Sequence, residues 1–209
     1  SNQHLAIHWN KCRKMGRPLE AALVIGAVPA VSYAAVAAVP YGFDELSLAG
    51  GIAGEPIEVV RCKTVDLEVP ATAEIVIEGI LPTDFMEPEG PFGEAHGYMA
   101  VRSWGPCFVA RCITHRKNPT WVSFLSQFTP SESSKIKQVA RENIIYKRVR
   151  YDAGIEELKE VGLIEMANSG RWCVLRMAHG TPREQVWRAL EAAAGEGKGL
   201  TLKIAIAVD

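Results

Sequence analysis

Glu87-Pro88-Glu89-Gly90-Pro91-Phe92-Gly93-Glu94-Ala95-His96-Gly97-Tyr98 is the stretch on which the reading of this 209-residue chain turns. Pro91, with Gly90 and Gly93 beside it, excludes a regular helix, because proline lacks the amide a helix needs and its ring collides with the preceding turn. Glu89 and Glu94 are therefore not a solvated pair on a helix face, and Glu87 to Gly97 reads as a stiff loop. Glycines at 90 and 93 suggest backbone angles that other residues resist, or backbone pressed close to a ligand. Gly93 in particular is expected to hold an angle unfavourable to alanine. Two carboxylates fixed on such a loop, with Phe92 between them, suit general acid and base chemistry: a partly dry carboxyl has its charged form disfavoured and keeps a proton near neutral pH. The bland alternative is a surface turn with ordinary acidic residues.

Outward from the loop, Ala73 to Ile80 alternates Ile75 and Ile77 with Val76 and Glu78, a half-buried strand pattern. Tyr98 to Arg102 and Cys107 to Thr114 are strand-like on the other side. Toward the N-terminus, His4 to Arg17 spaces Leu5, Ile7, His8, Trp9 and Cys12 as a helix does and stops at Gly16. Ala22 to Val28 reads as a strand, about Val31 to Val39 as an Ala-rich helix, Gly42 to Glu45 as a turn and Glu55 to Cys62 as a further strand. From Pro130 the character changes: Ser131 to Tyr151 is charged and helix-compatible, a linker helix with Ile136, Val139, Ile144 and Val149 as its apolar points. Arg171 to Ala178 is a strand. A helix follows from Thr181, with Thr181 as cap, Pro182 at the first position and Glu184 completing a capping box. Val186, Trp187, Leu190 and Ala193 form its apolar face, and Leu202 to Val208 returns as a strand, giving a small α/β unit. The pattern is mixed α and β with a boundary near residue 130.

With 48% hydrophobic and 22% charged residues, the composition is that of a globular chain and excludes a disordered one. Twenty-three Lys plus Arg against twenty-four Asp plus Glu leave a formal charge of -1, which argues against nucleic acid as a partner. Five cysteines, an odd number without a close CxxC pair, read as buried free thiols in a reducing compartment. Ala21 to Phe43 carries no charge and is long enough to cross a bilayer. Gly26, Pro29 and Pro40 interrupt it, however, and Ala stands where a spanning helix carries Leu, Ile and Phe. With polar Ser1, Asn2, Gln3 and His4 at the start and no signal peptide read there, a cytoplasmic protein without a membrane span is expected.

The run Glu-Gly-Pro-Phe-Gly-Glu at 89–94, followed by His-Gly-Tyr at 96–98, resembles the signature of the UbiD family of decarboxylases. Gln3-His4, Asp44-Glu45, Gly54-Glu55, Arg61-Cys62-Lys63-Thr64 and Val69-Pro70-Ala71-Thr72-Ala73-Glu74 leading to Glu78-Gly79 fall in the family's order, so the similarity covers most of residues 3–120. The resemblance implies an α/β (α+β) fold, a split β-barrel-like flavin-binding domain joined by a linker helix to an α/β dimerisation domain. The expected division is 1–130 for the catalytic domain, 131–162 for the linker helix region and 163–209 for the start of the C-terminal domain. It also implies prenylated FMN as cofactor and non-oxidative, often reversible decarboxylation of an aromatic or α,β-unsaturated acid to give carbon dioxide, with the modified flavin as electron sink. A prenyl-flavin synthase would supply the cofactor, and the assembly would be a homodimer or homohexamer.

Carried over by position, Glu94 matches the family's proton donor and Glu89 the carboxylate that pairs with an arginine. One carboxylate held ionised and another holding a proton have divergent pKa values, as acid and base roles require. His4 and Glu45 match two ligands of a divalent ion, manganese or magnesium, that ties the flavin phosphate to the protein, with potassium as a further candidate ion. Imidazole suits manganese, and a carboxylate suits either. Gln3 matches a position near the flavin. His8, four residues from His4, could share a metal on a helix, but a packed or bonded histidine is the favoured reading. His96 is read as structural. The family's arginine and the asparagine that completes its metal site fall N-terminal to the match at Gln3. Arg13, Arg17 and Arg61 do not occupy the matching position. A noncatalytic flavin-binding or assembly subunit is therefore the alternative from another class, and a generic α/β interaction domain a third.

Overall fold

A computed structural model describes residues 4–37, 39–93, 98–125, 130–164, 171–195 and 202–209. The chain falls into two compact units, Ser1–Phe92 with Ala100–Ser123, and Gly93–Met99 with Phe124–Asp209. Both mix helices with sheets, as the sequence reading requires.

The first unit is built on an antiparallel sheet of β1 (Leu19–Ile25), β4 (Ile75–Leu81) and β7 (Val109–His115), in the order β1-β4-β7. Helix α1 (His4–Lys14) precedes it, burying Trp9 and Cys12 and exposing Leu5. Trp9 Nε1 donates to the Pro82 carbonyl just past β4, which seats the helix on that end of the strand. Between β1 and β4 lie α2 (Pro29–Ala34), α3 (Glu45–Ala53) and a ribbon of β2 (Val59–Arg61) with β3 (Glu68–Pro70). The helix α3 stands where only a turn was expected. Gly50 and Gly51 hide it, since glycine is a poor helix former. Its boundary signals are nonetheless present: Asp44 accepts from the amides of Leu46 and Ser47, and Gly54 at φ 76 ends it.

The β4 strand has the half-buried alternation expected of it, and the structure assigns its faces. Val76, Glu78 and Leu81 are buried, whereas Ile75, Ile77 and Ile80 are only half covered. A register shift between Glu78 and Gly79 marks a bulge opposite β7. A Cβ at Gly79 would overlap the Val109 carbonyl oxygen and come within 2.8 Å of Phe108 Cζ. Gly79→Ala is expected to cost about 1–3 kcal/mol by overpacking against backbone that cannot move aside. Thermal melts of the two proteins check it.

The loop expected over Glu87 to Gly97 is partly strand. β5 (Met86–Glu89) pairs antiparallel with β6 (Ser103–Pro106), so the expected strand at Tyr98–Arg102 starts later, at Ser103. Gly93 does not hold a positive φ, and a Cβ there would meet nothing within 4 Å. The argument for strained backbone at that glycine is therefore removed. Gly93 instead forms an isolated antiparallel bridge with Met99.

The second unit carries a sheet in the order β10-β9-β8, from β8 (Leu158–Ile164), β9 (Trp172–Met177) and β10 (Ile204–Val208). β9 and β10 run parallel and are joined by α5 (Arg183–Ala194), while β8 is antiparallel to β9. Its core gathers Ile145 and Val149, Leu158, Val161 and Leu163 of β8, Cys173, Leu175 and Met177 of β9, and Ala189 and Ala193 of α5. The linker helix expected from Ser131 is α4 (Glu132–Lys147), capped by Ser131 and continued by a π-helical turn, Arg148–Asp152. The expected cap of α5 fails: Thr181 Oγ1 donates to the Ala178 carbonyl, and Pro182 takes the cap position without a side-chain bond. Trp187 also leaves the apolar face, standing 54% exposed while Ala189 and Ala193 are buried. Among the described residues no helix is long and apolar enough to cross a membrane.

Candidate active site

Of the residues singled out in the sequence, His4 and Glu45 are brought together. His4 opens α1 and Glu45 opens α3, and His4 Nδ1 lies 3.0 Å from Glu45 Oε1 across 41 sequence positions. The side chains are 30% and 43% exposed, so the pair is reachable from solvent. Asp44 fixes where α3 begins, its carboxylate taking the Leu46 and Ser47 amides and the Ser47 hydroxyl. The Ser47 hydroxyl first, then the Leu46 amide, hold the Asp44 carboxyl below its ordinary range. That leaves the neighbouring Glu45 to face His4.

The donor set fits a divalent ion. An octahedral ion with ligands at about 2.1 Å places neighbouring donors about 3.0 Å apart, which is the spacing of this nitrogen and oxygen. Among the described residues no group of three His, Cys, Asp or Glu side chains converges. His8 does not join them. It lies against Tyr41, their ring centroids 5.5 Å apart.

Glu89 ends β5, opposite Ser103. Residues two apart on a strand share a face, so Glu87 and Glu89 project from one side of the ribbon and Met86 and Pro88 from the other, beside Pro106 and Trp104. All four β5 residues are exposed, and among the described residues no arginine pairs with Glu89. Gln3, Glu94 and His96 lie outside the described residues. The segment 94–97 is bracketed by the Gly93–Met99 bridge and by the Ala100 amide, which donates to the Phe92 carbonyl at 2.8 Å.

A residue that sequence reasoning passed over is Glu78. It is 1% exposed, and its carboxylate accepts from the Lys63 amide at 2.9 Å, the Thr64 amide at 2.6 Å and the Thr64 hydroxyl at 2.7 Å. Burial pushes its carboxyl up, but the bonds from Lys63 and Thr64 and the Lys63 charge together pull it below the ordinary glutamate value. The glutamate thus clamps the turn after β2 onto the sheet. The signals for it in the sequence are its place on the Val76 side of an alternating strand and the Glu78-Gly79 pair in the family's order.

Comparison with known proteins places these features. The model of the UbiD family, described as the 3-octaprenyl-4-hydroxybenzoate carboxy-lyase Rift-related domain, matches residues 1–127. An uncharacterised protein of Archaeoglobus fulgidus is 42% identical over 134 residues, 64% of this chain and 28% of its own. The pyrrole-2-carboxylic acid decarboxylase of Pseudomonas aeruginosa is 37% identical over 135 residues, 64% of this chain and 27% of its own. Among solved structures, an evolved dimeric form of the UbiD-class enzyme HmfF from Pelotomaculum thermopropionicum, in complex with prFMN, matches with a TM-score of 0.90 and 33% identity over 99% of this chain and 47% of that one. The open form of the vanillic acid decarboxylase of Sedimentibacter hydroxybenzoicus gives 0.82 and 25% identity over 97% and 43%. The chain thus spans about a quarter of the length of the curated relatives and under half of the solved chains it matches. With a family match over residues 1–127 and the same architecture in UbiD-class structures, the chain belongs to the UbiD family.

Proposed function

We propose that the protein is a prenylated-FMN-dependent decarboxylase of a small aromatic or α,β-unsaturated carboxylic acid. The observation that carries this reading is the convergence of His4 and Glu45 within 3.0 Å in a chain that also holds Glu89 and Glu94 at the family's spacing. In this reading His4 and Glu45 hold a manganese or magnesium ion at the flavin phosphate, and Gln3 lies beside the cofactor. Bound prenylated FMN supplies the electron sink for the carbon that loses carbon dioxide. Glu89, kept ionised by a cation, orients the reacting groups, and Glu94 delivers the proton to that carbon. Residues 1–130 form the catalytic domain, 131–162 the linker region and 163–209 the beginning of a C-terminal domain. The assembly is a cytoplasmic homodimer or homohexamer, supplied by a prenyl-flavin synthase, and its reaction is reversible.

A noncatalytic flavin-binding or assembly subunit is the second reading. Co-expression with a prenyl-flavin synthase separates the two. A bound modified flavin, identified by absorbance and mass, together with carbon dioxide release from pyrrole- or benzene-type carboxylates is the expected result. Bound flavin with no release from any of them supports the subunit reading, and no flavin at all overturns both.

A further inference from the structure

We infer that Tyr41 is a positioning residue for His4, locked in place by Lys11, and that it sets the approach of His4 to Glu45. The inference rests on the reading of His4 and Glu45 as metal ligands. His4, His8 and Lys11 are spaced by four and three residues, so they share one face of α1. Tyr41, in the turn that precedes α3, lies on that face. Its ring centroid is 5.4 Å from that of His4 with the planes at 82°, and 5.5 Å from that of His8. Lys11 Nζ donates to Tyr41 Oη at 2.6 Å and stands 4.7 Å from the ring centroid.

These contacts divide the work. The hydrogen bond to Glu45 holds one atom of the imidazole, Nδ1, and leaves the ring free to swing about that bond. Edge-to-face contact with a phenol ring has a preferred geometry, so Tyr41 removes that freedom. The Lys11 ammonium, hydrogen-bonded to the hydroxyl at the edge of the ring, keeps Tyr41 from turning away. Tyr41 is also three residues before Asp44, the cap of α3, so the point at which it rests on α1 decides where Glu45 emerges. Partners that orient a metal-binding histidine alter metal affinity by about 10- to 100-fold.

The test is Mn2+ titration of the 209-residue protein followed by electron paramagnetic resonance, with nitrogen-detected NMR of the His4 ring in the metal-free state. Tyr41→Ala is expected to weaken Mn2+ about 10-fold and to shift the His4 Nδ1 signal toward that of free imidazole. Tyr41→Phe keeps the ring but loses the bond from Lys11, and is expected to weaken Mn2+ by less than Tyr41→Ala does. Tyr41→Leu restores bulk if the alanine variant folds poorly, and is expected to behave as alanine does in both measurements. Wild-type affinity in Tyr41→Leu or Tyr41→Ala, with binding abolished by His4→Ala, would overturn the positioning role and leave the metal site standing. Mn2+ binding indifferent to His4→Ala, or none by the wild type, would remove the site reading and this inference with it.

Discussion

Glu78→Ala is expected to destabilise the first unit by about 3–5 kcal/mol, the range for breaking a buried, fully bonded charge network. Truncation leaves two amides and a hydroxyl, from Lys63 and Thr64, without the acceptor they share. It also opens a void at a position 1% exposed. Glu78→Gln keeps the volume but turns an amide donor toward donors, so its cost is expected to fall between the two, about 2–3 kcal/mol. The ionised carboxylate is the bonded form, and its folded-state pKa is depressed. Its stabilisation is therefore full at neutral pH and is lost as pH falls through that depressed value, below the ordinary glutamate range. Urea unfolding across pH 3–7 checks both statements: the gap between wild type and Glu78→Gln should narrow toward the acid end. A gap that stays constant with pH would show that the charge is not what the turn requires.

Glu94→Gln is expected to lower turnover about 100- to 10,000-fold in the flavin-loaded protein, the usual worth of a positioned general acid. Glutamine fills the same space and keeps one acceptor, but carries no proton that can be transferred. Flavin content and Mn2+ affinity should be unchanged, because neither His4 nor Glu45 is altered. The discriminating measurement is carbon dioxide release set beside solvent deuterium incorporation into the product. Full turnover in Glu94→Gln would move the donor role elsewhere, with His96 the next residue to replace.

How far the sequence could be read depends on what each residue's signal was. The β9–α5–β10 unit was legible because strand runs and a helix with Pro182 at its start follow in order, each with its own period. The cap of that helix was not, since the same Thr181 hydroxyl can serve either an amide ahead of it or the Ala178 carbonyl behind it. Helix α3 was lost to composition: Gly50 and Gly51 lower propensity, and only Asp44 and Gly54 mark its ends. Which face of β4 is buried was illegible in principle. Ile75 and Ile77 offer more apolar area than Val76 and Glu78, and the choice is made by the turn at Lys63 and Thr64, which lies 14 or 15 residues upstream. His4 and Glu45 could be paired only through resemblance to the family, for nothing in the sequence between two positions 41 apart announces that two helix starts will meet.

The ribbon that bears Glu89 has a consequence for motion. Two strands alone are marginal in water, and β5 and β6 meet each other over four residue pairs with Trp104 67% exposed on the apolar side. Such an element opens at little free energy, whereas β4, bonded on both edges and anchored through Glu78, opens only with the whole unit. Glu89 is thus mounted on a soft ribbon, while a strand bonded on both edges lies a few residues away. Anything that settles on Met86, Pro88 and Trp104 would quiet the ribbon and still the carboxylate in the same event.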